Sequence, residues 1–194
     1  MRLFGPLYER VLQWSRHPHA ERYLAALSFA ESSFFPIPPD VMLAPMCLAE
    51  RRKAWRYATV TTLASVAGGI AGYAIGYFLL ELVEPWLQTS HYWPGYLKAR
   101  AWFERWGVLA VFVAGFSPIP YKIFTIAAGA AVLTFPWFVM ASILGRGGRF
   151  YLVAGLIVAG GERMATMLPK YVERLGWAVV VIAAVGVGFL MFRE

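Results

Sequence analysis

Five ionisable side chains stand inside otherwise apolar stretches of this chain: Glu31 and Asp40, then Lys122, then Arg146 and Arg149. A charge at membrane depth costs roughly 2.5–3.5 kcal/mol on insertion scales, so such residues pair with one another or take part in function. Arg146 and Arg149 are three residues apart and share a helix face. Two guanidinium forks on one face can grip the oxygens of a single group. Together the five carry three positive and two negative charges. That excess of one cation suits an anionic headgroup, most simply a phosphate. Glu31 and Asp40 can take up and release a proton, with burial and the nearby cations acting in opposite directions on that equilibrium. A purely structural network, in which the carboxylates neutralise the cations, uses the same residues and stays open.

Other chemistries lack their residues. Cys47 is the lone cysteine and reads as a small core residue. His17, His19 and His91 fall in polar connecting regions, and no cluster has metal-ligand spacing, so neither a metal nor a cofactor is expected. No Gly-rich phosphate loop and no Ser with a His and acid partner are present, so an enzyme is not expected. The net charge of +7 flanks apolar spans, which positive-inside topology explains without a nucleic-acid partner.

The elements that must position the five charges follow from composition. At 194 residues, 59% hydrophobic and 15% charged, the chain reads as an all-α integral membrane protein. Spans are expected over 57–80 and 137–159, with a third over 177–192 after a connecting loop that begins at 161; each approaches the roughly 20 residues a bilayer requires. An amphipathic interfacial helix is expected over 1–22, with Leu3, Leu7, Val11 and Trp14 opposite its arginines. Segments 24–48 and 106–133 are long enough to span but are interrupted by proline: FFPIPPD from Phe34 to Asp40, and FSPIPYK from Phe116 to Lys122. Pro36, Pro38 and Pro39 in the first, and Pro118 and Pro120 in the second, remove amide donors and push their neighbours towards extended geometry. Non-helical backbone at that depth must be covered, so each segment reads as a re-entrant helical hairpin with its tip at the prolines. Two opposed hairpins, each followed by a Gly-rich span, make an inverted repeat with a site where the tips meet. Gly68, Gly72 and Gly76 form overlapping G-x-x-x-G units for close helix packing. Asp40 and Lys122, at matching places in the two motifs, are expected to pair across the repeat. With both segments re-entrant, eleven of the eighteen Lys and Arg fall on one side, which marks that side and the N-terminus as cytoplasmic.

The stretch from Glu31 to Asp40, the stretch F-S-P-I-P-Y-K-x6-G from Phe116 to Gly129, and the GGIAGYAIGY span together resemble the DedA family, also called the VTT or SNARE-associated-Golgi domain. The resemblance covers about residues 25 to 160, within a core assigned to 23–160, and is nearest to the short bacterial YqaA-like branch. It implies facing re-entrant hairpins, the bacterial inner membrane, and roles in membrane homeostasis and lipid transport. Some members recycle undecaprenyl phosphate with proton coupling, and eukaryotic relatives scramble phospholipids. The resemblance gives Glu31 and Asp40 the proton-coupling positions. Two arginines of the better-studied branch align with Gly115 and Tyr121 and are missing; Lys122, Arg146 and Arg149 are the candidates to replace them. The expected function is a proton-coupled transporter or flippase for an anionic lipid, with protons and lipid as partners. A proton-coupled ion or small-solute transporter and a non-transporting membrane organiser are the alternatives, and a homo-oligomer is compatible with all three.

Overall fold

The computed structural model describes residues 17, 19–33, 38–91, 93–117 and 119–191. Of the expected features, Pro36, Pro118 and most of the interfacial helix over 1–22 lie outside these residues. The described residues form helices and no strand: α1 (Ala20–Ser33), α2 (Asp40–Ala49), a 3-10 turn (Arg51–Lys53), α3 (Ala54–Thr89), α4 (Trp93–Phe116), α5 (Tyr121–Ala130) and α6 (Phe135–Met191). Two helical stretches among them, Arg51–Thr89 and Phe135–Gly161, are long and apolar enough to cross a membrane.

Proline divides the helices. α2 starts directly after Pro39, whose carbonyl accepts the amides of Met42 (3.0 Å) and Leu43 (2.8 Å). α5 starts after Pro120, whose carbonyl accepts the Ile123 amide at 3.2 Å. A proline ahead of the first turn loses nothing, because the amide it lacks has no partner within a helix anyway.

α1 runs parallel to the first half of α3. Ser28 Oγ donates to the Thr61 carbonyl (2.8 Å), Ser32 Oγ meets Ser65 Oγ (2.7 Å) and Ser33 Oγ donates to the Gly68 carbonyl (3.0 Å), a nearly constant offset. At the outer end Arg56 bonds Glu21 at 2.8 Å, so α1 and α3 start side by side. Leu24 of α1 shares one buried cluster with Met46 and Cys47 of α2, Tyr57 of α3, and Phe150 and Ile157 of α6.

α5 packs on the other half of α3, and α4 lies against α6 and α5. The Tyr96 hydroxyl, near the start of α4, donates to the Ala130 carbonyl at the end of α5 (3.0 Å). Val111, Ala114, Tyr121, Ala128 and Phe138 form the second buried cluster. α5 lies against the second half of α3 with backbone touching backbone: a Cβ on Gly76 would overlap the Ile126 carbonyl, and one on Gly129 the Tyr73 carbonyl. Gly68 and Gly72 make similar approaches, to the Phe29 carbonyl and the Thr125 side chain. α6 runs antiparallel to α3, with Thr59 Oγ1 bonded to the Tyr151 hydroxyl at 2.7 Å.

Three boundaries differ from the sequence expectation. α3 runs on to Thr89, past the expected end at residue 80. α4 begins at Trp93, well before residue 106. Lys98, Arg100, Glu104 and Arg105 end the apolar run there without ending the helix, and Arg100 pairs with Glu104 one turn on, at 3.1 Å. The loop expected from residue 161 is helical to Met191, interrupted only at Gly161 (φ 59°, ψ −146°). That conformation is essentially restricted to glycine, and a Cβ there would also overlap the Arg51 guanidinium.

Candidate functional site

Both acidic residues of the first interrupted segment reach the same face of α6. Glu31, in the last turn of α1, pairs with Arg146, and Asp40, the first residue of α2, pairs with Arg149 through Nη2 at 2.5 Å. Two carboxylates nine residues apart, one on each side of a break, thus meet two arginines one helical turn apart. Asp40 lies at the N-terminus of α2, where the helix dipole favours a negative charge.

Arg146 is 2% exposed, the most enclosed charge described. Its Nε donates to Ser65 Oγ at 2.5 Å, and Ser32 Oγ lies 2.7 Å from Ser65 Oγ and 3.1 Å from Glu31 Oε2. Its guanidinium lies between two rings, 4.7 Å from the centroid of Phe150 and 5.0 Å from that of Tyr121, a geometry in which each ring face attracts the cation. The Tyr121 hydroxyl donates in turn to Ser142 Oγ at 2.5 Å.

Arg149 has a different setting. Its Nη1 donates to the Ser117 carbonyl at 2.7 Å, just past the end of α4, where helical carbonyls lose their partners. One guanidinium therefore joins the residue after the first break to the residue that opens the second. Asp40 Oδ1 and Arg149 Nε are buried without a hydrogen-bond partner among the described residues.

Asp40 is thus held by Arg149 and not, as expected, by Lys122. Lys122 stands half-buried in the first turn of α5, and its carbonyl accepts from Thr125 Oγ1 at 2.9 Å. The difference arises because Arg149 lies level with both breaks, a matter of depth along α6 that motif spelling does not encode. Pro38 is exposed and Pro39 buried beside Asp40, and Pro120 precedes α5. Ser32, Ser65, Tyr121 and the Ser117 carbonyl were not anticipated. Hydroxyls at one-turn spacing in apolar helices, Ser28 with Ser32 and Thr61 with Ser65, were the available signal. Among the described residues no group of three or more His, Cys, Asp or Glu is placed to hold a metal.

With this geometry in place, the comparisons decide the family. The VTT domain matches residues 37–159, from the first break through α6. The chain belongs to the VTT-domain, or DedA, family. It is 49% identical over 185 residues to an "Uncharacterized protein" of Haemophilus influenzae, covering 95% of this chain and 96% of that one. A Histophilus somni relative, also described as uncharacterized, is 43% identical over 185 residues, covering 95% and 97%. No solved structure matches. Membership makes this a membrane protein of the DedA family, consistent with its apolar helices. α1, with Glu31 and Ser32, precedes the matched VTT segment, whereas Asp40, Arg146 and Arg149 lie within it. Arg146 adjoins both Gly115 and Tyr121, the positions at which the resemblance in the sequence implied missing arginines. Its guanidinium covers the Tyr121 ring, and a Cβ on Gly115 would lie 3.3 Å from its backbone nitrogen.

Proposed function

We propose that this DedA-family protein carries an anionic lipid headgroup, most simply a lipid phosphate, between the leaflets of a bacterial inner membrane, coupled to protonation of its acidic residues. In this reading it is a multi-pass protein with a cytoplasmic N-terminus and no enzymatic step. α1–α2 and α4–α5 are re-entrant hairpins from opposite faces, related as an inverted repeat, and their breaks meet near the bilayer midplane. Lys122, in the first turn of α5, adds a third cation near the second break.

The observation that carries this reading is the unfinished pair between the breaks. Among the described residues Asp40 Oδ1 and Arg149 Nε are buried and unpartnered, and each such atom costs about 1–3 kcal/mol when left unsatisfied. A phosphate oxygen satisfies Arg149 Nε. A proton on Asp40 Oδ1 turns that oxygen into a donor and cancels the charge that holds Arg149. Protonation then frees the guanidinium for the phosphate, and deprotonation restores the Asp40 pair and expels the cargo. Arg146, clamped by Ser65, Glu31 and two rings, anchors the moving parts.

The test is reconstitution of the full chain in liposomes, following labelled anionic and zwitterionic lipids between leaflets with and without a pH gradient. Wild type should move the anionic lipid faster under the gradient, and Asp40→Asn should lose the gradient dependence. Ion flux without lipid movement would favour the ion-transport alternative. Neither flux nor lipid movement would leave the organiser.

A further inference from the structure

The two helical stretches long enough to cross a membrane, Arg51–Thr89 and Phe135–Gly161, share one end. Arg51 opens the first and Gly161 closes the second, and the Arg51 guanidinium packs directly on Gly161. Both stretches therefore stop at one level, and the 3-10 turn Arg51–Lys53 marks it. Arg51, Arg52 and Lys53 are all exposed, as is Arg56 one turn on. Clusters of about four to eight Lys and Arg directly beside a membrane helix attract anionic headgroups. Two of these four cations are already engaged: Lys53 bonds Glu50 at 3.0 Å and Arg56 bonds Glu21 at 2.8 Å. Glu50 also accepts from the Tyr57 hydroxyl at 3.0 Å. Among the described residues no carboxylate engages Arg51 or Arg52. Four cations against two carboxylates leave this corner with two positive charges in excess, both on one turn.

The surface just inside the turn says which anion fits. Trp55 stacks on Tyr151 with ring centroids 5.9 Å apart and planes at 26°. Tyr151 is fixed by its hydroxyl bond to Thr59 Oγ1 at 2.7 Å, and Gly155 leaves room for the edge of the Trp55 ring, which a Cβ there would meet at 3.4 Å. Both rings remain open to the surroundings, with 50% of Trp55 and 40% of Tyr151 exposed. Trp55 follows Arg51 by about one helical turn, roughly 6 Å of rise, the interfacial depth at which Trp and Tyr are enriched. Charge at the boundary and amphipathic rings one turn inside it match a phospholipid along its length. A soluble anion would use the arginines and leave the rings without a role.

We propose that Arg51 and Arg52 bind the phosphate of one anionic phospholipid of the adjoining leaflet, whose glycerol and upper acyl chain rest on the Trp55–Tyr151 pair. The bound headgroup braces the turn before α3 against the bend of α6 at Gly161. Twelve residues of α6 separate Gly161 from Arg149, about 18 Å of helix, so this site is distinct from the Asp40–Arg149 pair and does not depend on the transport reading.

Native mass spectrometry of the full chain in detergent, titrated with phosphatidylglycerol and with phosphatidylcholine of the same acyl chains, tests this. Wild type should prefer phosphatidylglycerol, and Arg51→Gln and Arg52→Gln should each lower that preference about fivefold, the order expected for one cation near an anionic surface. Lys98→Gln removes the same charge from an exposed position in α4 and should leave the preference unchanged. Trp55→Ala should weaken both lipids alike. Phosphatidylglycerol should also raise the melting temperature of wild type, and do so less in the double variant Arg51→Gln/Arg52→Gln. Arg149→Gln should keep the lipid preference whatever it does to transport, so failure of the proposed function and failure of this site are distinguishable. A wild type without preference, or a preference unaltered in the double variant, would overturn the proposal. An equal drop in Lys98→Gln would overturn it by making the preference a matter of net charge, and loss only in Arg149→Gln by placing the lipid between the breaks. Undiminished binding in Trp55→Ala, or displacement of the lipid by inorganic phosphate, would overturn it by making the site one for a soluble anion.

Discussion

Arg149 reaches across 109 residues of chain to bond Asp40 at 2.5 Å, and with its other terminal nitrogen holds the Ser117 carbonyl at 2.7 Å. The pair is largely enclosed, with 12% and 17% of the two side chains exposed. Removing one partner of such a pair strands the other charge at a cost of about 3–5 kcal/mol when burial is complete. Arg149→Gln and Asp40→Asn should each lower thermal stability in detergent, by an amount near the bottom of that range because of the residual exposure. The double variant should recover part of the loss, since it strands no charge. Additive losses in melting experiments would mean that the two side chains answer to different partners.

α3 and α5 touch at Gly76 and Gly129, and in both cases the overlapping atom is a backbone carbonyl that cannot rotate away. Gly76→Ala or Gly129→Ala should therefore push the helices apart and cost about 1–3 kcal/mol or more, with early melting and loss of monodispersity on gel filtration. Gly95 provides the control: nothing lies within 4 Å of a Cβ built there. Gly95→Ala should be neutral or gain about 0.5 kcal/mol through the unfolded chain.

The turn between α5 and α6 closes with Val132 N–H bonded to the Gly129 carbonyl (3.0 Å) and Leu133 N–H to that of Ala128 (2.9 Å). These two bonds define a Schellman cap, whose left-handed position is usually glycine. Here Val132 occupies it at φ 55°. A β-branched residue in that region bears strain of about 1–2 kcal/mol, and Val132 is 39% exposed, so little packing is lost on truncation. Val132→Gly should raise the melting temperature despite its greater backbone freedom. A lower value would mean that contacts of the valine side chain outweigh the strain.

The sequence marked the breaks and the five charges in apolar stretches because both are local: proline removes amides wherever it stands, and a carboxylate among apolar residues is visible without a fold. Partner choice was not local. Asp40 and Lys122 hold equivalent places in two similar motifs, yet Asp40 takes Arg149, because α6 carries that residue past both breaks at the right depth. Helix ends were hidden for another reason. The charges from Lys98 to Arg105 close an apolar window, but the helix continues through them on an i,i+4 pair and water-facing side chains. Ser32 and Ser65 escaped notice because a hydroxyl in an apolar helix commonly bonds its own backbone, as Thr61 and Thr62 do to Tyr57 and Ala58. Only the facing of α1 and α3 turns those two serines into contacts for Arg146.

The pairing of helix ends makes the membrane topology testable. Glu21 bonds Arg56 at 2.8 Å, so the start of α1 and the start of α3 lie together although α1 and α2 intervene. Tyr96 bonds the Ala130 carbonyl in the same manner across α4 and α5. A chain that crossed the membrane on each of α1 and α4 and stayed across would separate these partners by the bilayer. On a Cys47→Ala background, single cysteines at Glu21 and Arg56 should react with an impermeant maleimide from one face of the membrane, and cysteines at Tyr96 and Ala130 from the other. Labelling of Glu21→Cys and Arg56→Cys from opposite faces would exclude re-entry of the first segment. All four reacting from one face would remove the inverted relation between the halves, leaving two hairpins that enter from the same side.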